Sequence, residues 1–169
     1  HINTRSSESD ASSAAGDITI RLTADDADMS LGGAAGSART TIYGGLDHIK
    51  AENGTTTFST TGNNSDLLVG GFSASESAEM GDIVLSASRD LLFQGGDSDL
   101  SGGTITLKAG RDIKFSKNLS ATTVVAEAKT AYLEEAGISA ASLSFHGDLA
   151  ITMPDYGDSD TPADVDLST

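Results

Sequence analysis

Leu100-Ser101-Gly102-Gly103-Thr104-Ile105, Leu119-Ser120-Ala121-Thr122-Thr123-Val124 and Ile138-Ser139-Ala140-Ala141-Ser142-Leu143 repeat one pattern, each copy 19 residues beyond the last. Each opens on an aliphatic and a serine, runs through small or hydroxyl residues, and closes on an aliphatic five places on. The same step links Ile113, Tyr132 and Ile151, and also Ala109, Ala128 and Gly147. A fixed period near twenty residues marks a solenoid. A unit this short has no second layer of its own against which to bury a hydrophobic face, so it must stack on its neighbours.

Upstream of these copies the same logic continues with looser spacing. Gly81-Asp82-Ile83-Val84-Leu85-Ser86-Ala87 alternates apolar and polar residues, the mark of a half-buried strand, and Leu91-Leu92-Phe93 follows it. Ile105 to Ala109 is followed in the same way by Ile113-Lys114-Phe115. The step from Ile83 to Ile105 is wider than the later ones, and the surplus is expected in the corner Gly95-Gly96-Asp97-Ser98-Asp99, where an insertion leaves the stack undisturbed. Earlier still, the pattern predicts strands at Ile18–Leu22, Met29–Leu31, Thr41–Tyr43, Asp47–Ala51, Thr55–Thr60 and Leu67–Val69. The still wider gaps from Ile18 to Ile42, and from Ile42 to Leu67, read as longer coils.

Stacked units with two or three short strands each form a parallel β-helix (β-solenoid). About seven coils at a strand spacing of about 4.8 Å would make a rod about 34 Å long. Its interior is expected to hold columns of like residues, Ile83/Ile105/Val124/Leu143 and Leu100/Leu119/Ile138. Glu134 falls where Phe115 and Met153 would point inward, so the strand is expected to shift near Tyr132-Leu133. Val124 to Ala136 is rich in helix formers, and a short helix competes there with the strands that the flanking copies favour. Residues 1–15 read as a polar N-terminal arm, 16–153 as the solenoid, and 154–169 as an acidic C-terminal tail or cap.

The segments Gly81–Ala87, Gly103–Ile113 and Glu135–Ala140 together resemble the repeats of filamentous haemagglutinin-like adhesins, bacterial proteins exported by two-partner secretion. The resemblance runs from about Gly81 to Ile151, with an echo at Gly16–Leu22. It implies a right-handed β-helix at the cell surface or outside the cell. The implied roles are adhesion, or the shaft of a contact-dependent toxin.

Composition narrows the function classes. The chain has 169 residues, a formal charge of −15, 5% aromatic residues, no Trp and no Cys. That charge argues against nucleic acid, which needs clustered Lys and Arg on phosphates, and against anionic membrane surfaces. No run approaches the roughly 18 apolar residues of a membrane-spanning helix. The opening at His1 shows no signal peptide and reads as a trimmed or mature chain.

Catalytic signatures are sparse. Paired carboxylates of a glycosidase stand about 5–9.5 Å apart, whereas the acids here crowd into corners. Asp82, Asp112 and Asp148 are expected to cap local backbone. His1, His48 and His146 lack ligand spacing and read as surface residues. Glycine pairs such as Gly32-Gly33 and Gly70-Gly71 lack the lysine and helix of a phosphate loop and are turns. Asp25-Asp26-Ala27-Asp28, Asp97-Ser98-Asp99 and Asp155 to Asp160 offer the hard oxygens that a structural Ca²⁺ takes, although solvated corners explain them as well. No other cofactor, and no catalytic or metal-binding residue, is assigned.

The leading expectation is therefore a non-catalytic extracellular structural or adhesive module, able to stack end to end with copies of itself. The alternatives are a carbohydrate-active β-helix enzyme, with Lys108, Arg111 and Lys114 as its nearest basic cluster, and a polysaccharide-binding module using Ser/Thr faces or Tyr43, Tyr132 and Tyr156. Expected partners are the chain itself or cell-surface and polysaccharide ligands.

Overall fold

The computed structural model describes residues 2–4, 16–32, 40–43, 49–51, 54–73, 81–134, 136–152 and 167–168. These residues form strands and turns, with no helix among them. In chain order the strands begin with β1 (Ile2–Thr4), β2 (Ile18–Leu22), β3 (Met29–Leu31), β4 (Thr40–Ile42) and β5 (Ile49–Ala51). Next come β6 (Thr55–Thr60), β7 (Leu67–Val69), β8 (Phe72–Ser73), β9 (Asp82–Ala87) and β10 (Leu91–Phe93). The last are β11 (Ser98–Ala109), β12 (Asp112–Phe115), β13 (Leu119–Glu134), β14 (Ile138–Thr152) and β15 (Leu167–Ser168).

Every pairing is parallel. Thirteen strands make one sheet, curled into a half-barrel, and β1 pairs with β5 in a separate two-stranded sheet. Along one flank β2, β6, β9, β11, β13 and β14 pair in turn; along the other, β4, β3, β7, β10, β12 and the second half of β13 do so. Strands β6, β7, β9, β10, β11 and β12 alternate between the two flanks, and even strands adjacent in sequence, such as β3 and β4 or β12 and β13, pair in parallel, so no hairpin is present among the described residues.

The column Ile83/Ile105/Val124/Leu143 forms as the sequence predicts, and it continues back to Thr56 and Ile18. The second predicted column does not. Leu119 pairs with Ile138, but the residue beside Leu119 on the preceding strand is Ser98, while Leu100 lies beside Ala121. The wider step explains the slip. Part of its surplus is taken up between Phe93 and Ser98, in the predicted corner, and the rest between Leu100 and Thr104. The step from Ile113 corrects in the opposite sense: Ile113 pairs with Ala131 rather than Tyr132, which sits beside Lys114. The expected shift thus falls one corner early, between Glu127 and Thr130. Leu133 is left inward beside Phe115, and Glu134 exposed. Val124 to Glu134 is strand throughout.

In the first half, Met29 pairs directly with Leu67, and Ile18 with Thr56. Ile42 is therefore not an intermediate rung: β4 lies on the outer side of β3. Two short strands, β1 and β15, fall inside the segments read as arm and tail. Asp47, His48 and the rest of those two segments lie outside the described residues, as do Gly33 and Met153.

The core narrows with the rungs. On the wider rungs, Phe93 and Phe115 fill the interior as a stacked pair with centroids 5.0 Å apart. On the shorter rung that follows, the buried positions beside Leu107 and Ile113 are Ala126 and Ala131. Smaller side chains keep the packing dense where the step between paired strands is shorter.

Corners between the flanks leave little room. A Cβ on Gly110 would stand 2.1 Å from the Ser88 carbonyl oxygen one rung below, and one on Gly147 would stand 2.0 Å from that of Ala128. Gly110→Ala should therefore cost about 1 kcal/mol or more through backbone displacement, read as a lower midpoint in urea at unchanged m-value.

Candidate functional site

Much of the negative charge is spent on joining one rung to the next. The amide of Thr55 donates to Asp17 Oδ1 (2.8 Å), Asn63 to Asp25 (2.7 Å), Asp66 to Asp28 (2.8 Å) and Asp90 to Asp66 (3.1 Å). Further along, Thr104 donates to Asp82 (3.1 Å), Asp112 to Asp90 (3.3 Å) and Asn118 to Asp97 (3.0 Å). Asn118 Oδ1 in turn accepts from Gly137 N–H at 2.9 Å. In each case the acceptor lies on the earlier rung and the donor on the later one. The predicted backbone capping is present for Asp82, but it reaches across to the next rung rather than being local.

Two of these aspartates also hold arginines. Arg89 Nε and Nη2 donate to the two oxygens of Asp66 at 2.6 and 2.5 Å, and Arg111 makes the same fork with Asp90. The hydrogen bonds that Arg89 donates to Asp66, reinforced by the nearby charges of Asp66, Asp90 and Asp28, outweigh partial burial and raise the Arg89 pKa above its ordinary value. Arg111 is raised likewise, chiefly by its hydrogen bond to Asp90. A raised basic pKa contributes stability that is complete below the unfolded value and is lost only as pH climbs through the higher folded one. Both arginines therefore stay charged at any working pH.

The predicted calcium ligands Asp25, Asp26 and Asp28 each turn to a different group on the next rung: Asn63 N–H, the Asn64 side-chain amide and Asp66 N–H. Among the described residues no group of three His, Cys, Asp or Glu side chains is placed to hold a metal. Asp155 to Asp160 lie outside the described residues, as do His1 and Tyr156.

Each residue of the predicted basic cluster takes a partner of its own. Lys108 pairs with Glu127 at 3.3 Å, Arg111 with Asp90 and Asp112, and Lys114 lies 5.5 Å from the centre of the Tyr132 ring. His146 and Asp148 are exposed on β14, and Tyr43 is 84% exposed.

What the structure brings together, and sequence reading did not, is a groove across three rungs at the corner leading into β11, β13 and β14. It encloses about 380 Å³, at the low end of the roughly 300–1,000 Å³ of small-molecule sites. One wall is Asp97, Asn118 and Gly137; the other is Asp99, Ser120 and Ser139; Ser98, Leu119 and Ile138 lie between them. The alternation of the strands makes this arrangement, because Ser98, Leu119 and Ile138 are buried while their neighbours on either side are not. Asp97 and Asn118 are held in place by the amides they accept on the next rung. Ser98 is 2% exposed, and its hydroxyl has no hydrogen-bond partner among the described residues. The signal available in the sequence was the recurrence of Asp97, Asn118 and Gly137 at nearly the repeat period, each just before an inward position.

A second feature is the far edge of the sheet. β14 pairs with β13 along one side, whereas on the other, among the described residues, only Ile138 and Ser139 are paired, with β15. Leu143 and Phe145, which continue the core columns, are only partly buried there, and Leu149 is 46% exposed.

No protein-family model, curated protein or solved structure matches this chain. The site must therefore be read from its own chemistry.

Proposed function

We propose that this chain is a non-catalytic, extracellular structural or adhesive module: a right-handed β-solenoid of about seven coils, of the filamentous haemagglutinin-like kind, which associates end to end. The observation that carries the reading is the long edge of β14, with Leu143, Phe145 and Leu149 incompletely covered beside backbone that pairs with no further strand among the described residues. Edge strands of this sort must be covered or used, and a stack whose two ends differ joins head to tail, extending rather than closing. Commitment of the corner carboxylates to amides and arginines supports a scaffold rather than an acid–base role.

Sedimentation and negative-stain microscopy over a range of protein concentrations test this. Concentration-dependent linear species are expected, and Leu149→Asp should weaken their formation by about tenfold or more, since it places a charge where an apolar contact forms. A chain that remains monomeric throughout would remove the end-to-end part of the reading and leave an adhesive module.

A further inference from the structure

We infer that the groove between the Asp97–Asn118–Gly137 and Asp99–Ser120–Ser139 walls binds a saccharide free of anionic groups, its chain lying along the stack. The inference stands apart from end-to-end association, because the groove lies on the side of the sheet and belongs to one chain. Three rungs span about 10 Å from first to third, the length of a disaccharide, and the 380 Å³ enclosed is of matching scale.

The walls offer what vicinal hydroxyls need. Carboxylate oxygens accept from them, the Asn118 side-chain amide donates, and the Ser120 hydroxyl does either. Asp97 and Asn118 each spend one oxygen on an amide of the next rung (3.0 and 2.9 Å). That fixes their remaining atoms before any ligand arrives, so less ordering is lost on binding.

Charge decides the class. Two aspartates on one rung, in a chain of net charge −15, repel uronates and sulfated sugars and favour neutral or amine-bearing ones. A divalent cation fits less well: one oxygen of Asp97 is already engaged, and no third carboxylate converges on the groove among the described residues.

The test is an amide-resolved NMR titration of the whole chain with cellotetraose, a chitosan tetramer, tetragalacturonate and CaCl₂ in separate arms. Shifts confined to 97–99, 118–120 and 137–139 are expected with the first two sugars and not with tetragalacturonate. Ser120→Leu, which fills the groove, should abolish them. Asp99→Asn, which preserves shape, should weaken chitosan tetramer binding at least about tenfold, the loss of one charge-assisted hydrogen bond. Three outcomes would overturn the assignment: no response to either sugar, shifts that survive both substitutions, or the same amides responding to Ca²⁺ alone.

Discussion

Phe115→Ala should destabilise the fold by about 3–5 kcal/mol, the range for removing a buried ring from a core that only partly collapses. Phe115 is fully buried, stacks on Phe93 of the rung before and lies beside Leu133 of the rung after. Its loss opens a void shared by three rungs. Domains of this kind are stable by only about 5–15 kcal/mol in all, so the variant should unfold at markedly lower urea. Leu92→Ala serves as the comparison, because Leu92 points out of the same sheet and is only half-buried; its cost should stay below about 1 kcal/mol. Equal effects of the two substitutions would mean that the inward and outward faces have been assigned wrongly.

Asp66→Ala should be the most damaging change among the corner carboxylates. Asp66 accepts three hydrogen bonds, from Arg89 Nε, Arg89 Nη2 and Asp90 N–H, and its side chain is 11% exposed. Breaking a fully buried ion pair costs about 3–5 kcal/mol. Here the Arg89 side chain is 37% exposed and can turn to water, so about 2–3 kcal/mol is expected. Asp66→Asn keeps an acceptor for the Asp90 amide and should lose less. Chemical denaturation of the two variants separates the amide contribution from the ionic one. If Asn proves as harmful as Ala, the arginine fork rather than the join between rungs dominates.

The strands themselves were legible because alternation of apolar and polar residues survives in almost every one. Inward Ile83, Leu85, Ile105, Leu107, Ile113 and Phe115 are all fully buried. Register was legible only where a large residue recurred. Around Leu100 the chain reads Ser-Gly-Gly-Thr, and such small residues accommodate extra positions without leaving a mark in the pattern. The shortening before Tyr132 falls at the Ala128-Lys129 corner, where the small Ala128 keeps the 19-residue series with Ala109 and Gly147 and so hides the lost position.

The long step between the first rungs was hidden for the opposite reason. Thr40–Ile42 is as good a strand as its neighbours, and only pairing shows that it lies outside β3 rather than between β3 and β7. The groove depends on which residues share a wall across rungs. That information lies in the register and not in any local motif, although Asp97-Ser98-Asp99 had already drawn notice as a source of ligands. In sequence the acidic corners look solvated, and the direction in which each carboxylate reaches shows only in the register of the rungs.

That direction bears on how copies of such a chain could meet. Since successive rungs supply their own anionic clasp, charge is spread along the length of the molecule instead of gathered at one spot. Two copies brought flank to flank would face each other as like-charged lines and repel over about a Debye length, roughly 8 Å in physiological salt. In the end-to-end assembly proposed above, contact through the sheet edges would bring far fewer of these charges together. The arrangement would then discourage bundling sideways, the usual hazard of exposed β-structure, while leaving the proposed growth along the stack open.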